Sequence, residues 1–263
     1  MQQILQKQIK KVTRTADAVA PEFKTEDIHR FRVSVKKLRA IMHFINSVKG
    51  QPDLKMTGKF KTLYRIAGTL RDAHLKYETL THNNLQLTAY YDNLSAIITR
   101  NKQEWCKLNS DKVMGKLHLK LTGEDLIEIV PAMLTRYFKR TVRKIKEINN
   151  DKPNDEHIHK MRKLIKDLVY ITAVAEKHWK EAEKEVAQIP HSQLIDISNL
   201  VGIYNDGTIL LDELSSFSSS NMLIDEHKAM ANYIADEMQH HRALRKELLL
   251  RISQFVDSAE HEL

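Results

Sequence analysis

The chain has 263 residues, 42% hydrophobic and 29% charged, with only seven Gly and five Pro. These proportions exclude wholesale disorder and favour long helices around a sizeable core. The formal net charge of +8 favours an anionic partner such as nucleic acid, a phosphate polymer or a lipid surface, and alone specifies no site.

Apolar periodicity predicts helices near 2–19, 25–49, 54–82, 84–108, 124–149, 154–178, 190–217 and 222–258. Pro21, Pro52, Pro131, Pro153 and Pro190 fall between these segments or near a first turn, where proline is tolerated. The stretch 109–123 contains Asn109, Ser110, Gly115 and Gly123 and reads as a central linker. The first segment is amphipathic and rich in Lys, without the apolar core of a signal peptide. No run approaches the roughly 18 apolar residues that span a bilayer. Cys106 is the single cysteine, so no internal disulfide forms. A reducing, cytoplasmic setting and a buried structural role for Cys106 are expected.

Eight segments divide into two sets of four, and the sets repeat. Ile28–Arg39, IHRFRVSVKKLR, returns as Ile158–Leu168, IHKMRKLIKDL, with an offset of 130. Gly68-Thr69-Leu70-Arg71-Asp72 returns as Gly202-Ile203-Tyr204-Asn205-Asp206 with an offset of 134. Lys10 and Arg14 on the first segment correspond to Arg140 and Lys144 on the fifth. The expected fold is all-α, a duplicated four-helix unit with internal pseudo-twofold symmetry. Residues 1–108 form one half and 124–263 the other.

Advancing about 100° per residue from His29 puts Arg32, Lys36 and Arg39 within one arc of about 80°. Ile28, Phe31, Val35, Leu38 and Met42 cluster on a neighbouring arc. His159, Arg162 and Lys166 repeat the cationic stripe beside Ile158, Met161, Ile165 and Leu168. Like charges at such spacings repel by a few tenths of a kcal/mol per pair. An anion between two such stripes relieves that repulsion. Arg offers a planar fork to phosphate oxygens, Lys a mobile point charge, and His a donor or a cation. Such a set suits phosphate and repels a metal ion. A solvated basic face is the plain alternative for either stripe alone. It does not require the same three residue types in the same slots twice.

Other constellations are weaker. No Gly-x-x-x-x-Gly-Lys-Ser/Thr loop supports a nucleotide site. His157 with His159, and His240 with His241, lack the i, i+4 spacing of paired helical ligands. Asp72 and Asp206, beside Arg71 and Asn205, either hold Mg²⁺ or accept hydrogen bonds from a motif Arg or His. The second role is the one expected here. Trp105, Trp179, Tyr137 and Tyr170 read as core or interface, too scattered for a base-stacking platform.

The paired motif resembles that of the conserved histidine α-helical domain, or CHAD, family: a His with Arg at +3, Lys or Arg at +7 and often Arg at +10, once per half. The likeness covers nearly the whole chain. It implies a single domain of two four-helix bundles around a basic central channel or surface that binds inorganic polyphosphate. The implied contacts are His29, Arg32, Lys36, Lys37, Arg39, His159, Arg162, Lys163 and Lys166. Lys10, Arg14, Arg140 and Lys144 extend the track, and Tyr170 occupies the place of a motif aromatic. The second copy departs from the pattern at Val169, where a basic residue is expected, and at Asp167, which stands opposite Lys37. The second half is therefore expected to be the less cationic, with Lys163 compensating in part. No Glu-x-Glu-x-Lys of an attached triphosphate-processing domain occurs. The expectation is a standalone, non-enzymatic, cofactor-free binding domain recruited to polyphosphate bodies or organising them, whose polymer brings its own divalent cations. A helical nucleic-acid binder and a metal-dependent polyphosphatase are the competing readings.

Overall fold

The structure is a computed structural model that describes residues 2–50, 54–108, 112–115, 117, 130–150, 152–178, 191–217 and 222–262. It is all-helical. In chain order the long helices are α1 (Gln2–Val19), α2 (Thr25–Lys49), α3 (Gly58–His82), α4 (Thr88–Lys107), α5 (Pro131–Asn150), α6 (Asp155–His178), α7 (His191–Ser216) and α8 (Ile224–Glu262).

Local chemistry sets most boundaries. Gly50 takes a left-handed conformation (φ 74°) and ends α2. Helix α3 starts four residues later than its periodicity suggests. The backbone N–H and C=O of Leu54 are both tied by the Asn46 side chain, and Thr57 caps the helix by accepting from the Phe60 N–H. Helix α4 also starts four residues late. Asn84 is left-handed (φ 56°) and Leu85 N–H closes back onto Leu80 C=O, so the chain must turn before a new helix begins. Pro131 opens α5, where its missing N–H costs nothing. Asn154 accepts from His157 N–H at the start of α6, whose first turn carries Asp155 and Glu156. Helix α8 runs four residues past its expected end. The sequence-predicted helical residues 124–129, Pro190, most of the linker and Trp179 lie outside the described residues. Lys112–Gly115, inside that linker, is helical.

The apolar stripes of α2 and α6 are buried as their periodicity requires: Ile28, Phe31, Val35, Leu38 and Met42, then Ile158, Met161, Ile165 and Leu168. Phe31 meets Trp105 edge-on at 5.4 Å and Phe60 at 6.5 Å. One continuous core draws residues from both halves because α2 packs directly on α6. A second, smaller core joins α3 and α4 to α7 and α8 through Leu80, Tyr90, Leu94, Leu210, Leu214 and Met230. Beside it Glu213 accepts from both Lys76 and the Tyr90 hydroxyl. Glu226 accepts the backbone N–H groups of Thr88 and Leu223, and these bonds hold its carboxyl below the ordinary carboxylate range. Two separate cores therefore fix the halves to each other. Cys106 does not take the buried role expected of it. It is exposed on α4, one position past the buried Trp105 that fills the core-facing slot.

Candidate functional site

Packing of α2 on α6 opens a cleft of about 280 Å³, walled laterally by α3 and α7. Arg32, Lys36 and Arg39 line it from α2; His159, Arg162, Lys163 and Lys166 line it from α6; Asp72 and Asp206 come from the flanking helices. The two copies of the motif, 130 residues apart in sequence, share one cavity. Six Lys and Arg side chains face three carboxylates there, counting Asp167.

The +3 Arg of each motif copy has an equivalent partner. Arg32 Nη2 is 3.7 Å from Asp72 Oδ1, and Arg162 Nη2 is 4.0 Å from Asp206 Oδ1. Both Arg side chains are 17% exposed. These are loose ion pairs, longer than a direct hydrogen bond, so they orient the guanidinium groups and leave donors free. Arg162 Nε is buried without a hydrogen-bond partner.

The electrostatics record the crowding of cations. Burial, then the neighbouring Arg32, Arg162 and Lys166, push the Lys36 ammonium down from 10.5 to about 8, against a small upward pull from Asp206. Two of those three neighbours belong to the opposite helix. Lys166 is lowered by burial and by Arg162. Such lowering means that the charged form is held at a cost that a bound anion removes.

The two halves of the cleft differ. Tyr64 on α3 lies beneath both Arg32 (5.5 Å to the ring centre) and Arg39 (5.9 Å), a shared cation–π platform. Its counterpart at an offset of 134 is Ser198, which is buried. Gly68, one turn beyond Tyr64, makes room for Arg32, whereas a Cβ at Gly202 meets nothing within 4 Å. His159 Nδ1 is 2.9 Å from Asn205 Oδ1. The corresponding His29 is largely exposed outside the cleft lining; partial desolvation of its ring and then Arg71, which replaces Asn205 in the first half, push its pKa down. Asp167 pairs with His43 Nδ1 at 2.8 Å. An exposed His of α2 therefore takes up the acidic departure in the second motif, while the motif cations keep their own partners.

Not every residue of the expected track reaches the cleft. Lys37 lies over the ring of Tyr170, 5.9 Å from its centre, and is lowered by burial, Lys11 and Lys177, so it faces the α1 side. Tyr170 lines the cleft. Lys10 and Arg14 are exposed on α1, and Lys144 is exposed on α5; none of them lines it. Arg140 lines a different depression, between α5 and α8. Sequence reasoning missed Tyr64 and His43. The readable signal for Tyr64 is its spacing: Tyr64, Gly68 and Asp72 recur every four residues and share a face of α3. Among the described residues no group of three or more His, Cys, Asp or Glu side chains is placed to hold a metal ion. No described helix is long and apolar enough to cross a membrane.

An all-helical domain whose two halves each supply one His-Arg-Lys helix to a common basic cleft defines a narrow class of proteins. Residues 3–215 match the family model of the CHAD domain, and the chain belongs to that family. The fold is similar to the crystal structure of the CHAD domain from the plant Ricinus communis, with a TM-score of 0.68 at 14% identity over 98% of this chain and 89% of that one. No curated protein matches the sequence.

Proposed function

We propose that the protein binds long-chain inorganic polyphosphate in the α2–α6 cleft and leaves it chemically unchanged. The observation that carries this reading is the meeting of both motif copies in one cavity where cations outnumber carboxylates two to one. The polymer's phosphoryl oxygens accept from Arg32, Lys36, Arg39, Arg162, Lys163 and Lys166, with His159 at one edge. Arg162 Nε, buried and unpaired, gains an acceptor. A lowered Lys36 regains its full charge beside a phosphate. Asp72 and Asp206 aim the two guanidinium groups and are too far from them to compete as direct acceptors.

The test is a titration with long-chain polyphosphate, single-stranded DNA and orthophosphate. It uses wild type and the Lys36→Ala/Arg162→Ala variant. Removing two charge-assisted hydrogen-bonding groups should weaken polyphosphate binding by about a hundredfold or more. Wild type should prefer polyphosphate to DNA at equal phosphate concentration. Equal DNA binding, with an unaffected variant, would assign the charge to nucleic acid. Phosphate release in Mg²⁺ that disappears in Asp72→Ala/Asp206→Ala would make the protein a polyphosphatase.

A further inference from the structure

The solvent face of α5 carries a run of cations that the cleft does not use. Arg136, Lys139, Arg140 and Arg143 line a depression of about 430 Å³ together with Val142 of the same helix and Ala259 and Glu260 of α8. All four cations are exposed. They share no lining residue with the α2–α6 cleft. Among the described residues the only carboxylate in the lining, Glu260, is already taken by Lys146 at 2.6 Å. Arg143 has a loose, exposed partner in Glu147 at 3.7 Å, a pair of small energetic value. The depression therefore holds a concentrated positive field with its nearest counter-charge spent.

The position matters as much as the charge. Helix α5 packs against both α6 and α2, the two helices that form the cleft. The ring of Tyr137 on α5 meets Phe44 on α2 at 5.1 Å, next in sequence to His43 at the cleft wall. The two basic surfaces are thus carried by helices in direct contact with one another. A long flexible polyanion seated in the cleft extends beyond it, and a second attachment on the neighbouring helix is intramolecular and so enhanced.

We propose that the α5–α8 depression is a second anion-binding surface, which takes another stretch of the same phosphate polymer. The inference rests on the cleft reading for the identity of that polymer. Arg136, Lys139, Arg140 and Arg143 bind its phosphates, and short chains that fill only the cleft do not sense it.

The experiment compares tripolyphosphate with long-chain polyphosphate at several salt concentrations. It uses wild type, the surface variant Arg136→Gln/Lys139→Gln/Arg140→Gln/Arg143→Gln, a milder Lys139→Gln/Arg140→Gln variant and the cleft variant Lys36→Ala/Arg162→Ala. All the α5 positions are exposed, and melting curves check that the folds are equal. The surface variants should keep wild-type affinity for tripolyphosphate and bind the long chain about tenfold or more weakly. Their salt slope should fall by about one for each phosphate no longer neutralised. Unchanged long-chain affinity and slope in a folded surface variant would overturn the proposal. So would an equal weakening for both chain lengths, or a weakening confined to single-stranded DNA. Failure of the cleft reading has a separate signature, namely unchanged tripolyphosphate binding in the cleft variant.

Discussion

Gly68 on α3 lies against the guanidinium of Arg32 on α2: a Cβ at position 68 would collide with Nη1 and stand 3.5 Å from Cζ. Its repeat partner Gly202 has open space around it. The same substitution should therefore do different things in the two halves. Gly202→Ala should stabilise the protein by about 0.5–1 kcal/mol, because Ala is the better helix residue, and should leave binding intact. Gly68→Ala should gain little stability, since the helix benefit is offset by displacement of Arg32, and should weaken polyphosphate binding several-fold. Thermal melts and titrations of the two variants check both halves of the statement. Equal behaviour would mean that Arg32 moves aside without consequence.

Lys36 is a charge kept in the fold at a cost. Its pKa falls from 10.5 unfolded to about 8 folded, so the unfolded chain holds more protons between those values. Stability from this group therefore rises with pH between about 8 and 10.5, and its penalty is fully present below 8. Lys36→Met should stabilise the ligand-free protein by about 2 kcal/mol at pH 7, with the gain shrinking as pH climbs through that window. The same variant should bind polyphosphate poorly. In wild type, binding above pH 8 should take up a proton and weaken with further rise in pH. Denaturant melts and calorimetry in buffers of different ionisation enthalpy read both effects. A stability gain that does not change with pH would sever it from the Lys36 charge.

Tyr64 serves two guanidinium groups at once. Tyr64→Leu keeps an apolar body and removes the π face, and should lower polyphosphate affinity about five- to thirtyfold, from roughly 0.5–1 kcal/mol for each of the two cation–π interactions. Tyr64→Phe keeps the ring and should bind like wild type. If Phe behaves as Leu does, the hydroxyl and not the ring is what the site uses.

The helices were legible because their apolar residues recur with one period throughout α2 and α6, and the buried sets follow that period. Starts were less legible where a side chain intercepted the backbone, as Asn46 does at Leu54, or where Asn84 turned left-handed. The cationic stripes could be read from the sequence. Their convergence could not, because helical periodicity orients residues about one axis and says nothing about which second axis lies opposite. The same limit hid Tyr64, which belongs to a helix outside the repeated motif, and His43, whose partner Asp167 is 124 residues away. It also hides that Arg140, read with Lys10, Arg14 and Lys144 as an extension of the cationic track, is turned by its helix toward α8.

The cleft has a consequence for the order in which the chain completes itself. Its walls are helices that meet only when segments 130 residues apart come together, and pairings so distant in sequence form late and slowly. Neither wall alone presents the opposed cations. A ligand that grips both walls recognises the finished molecule and not a nascent half, so it adds its binding energy to the completed fold alone. The mutual repulsion of Lys36 with Arg162 and Lys166 opposes the last docking step, and a polyanion cancels it. A polyanion bound across both walls would in this sense close the tertiary structure as well as occupy it.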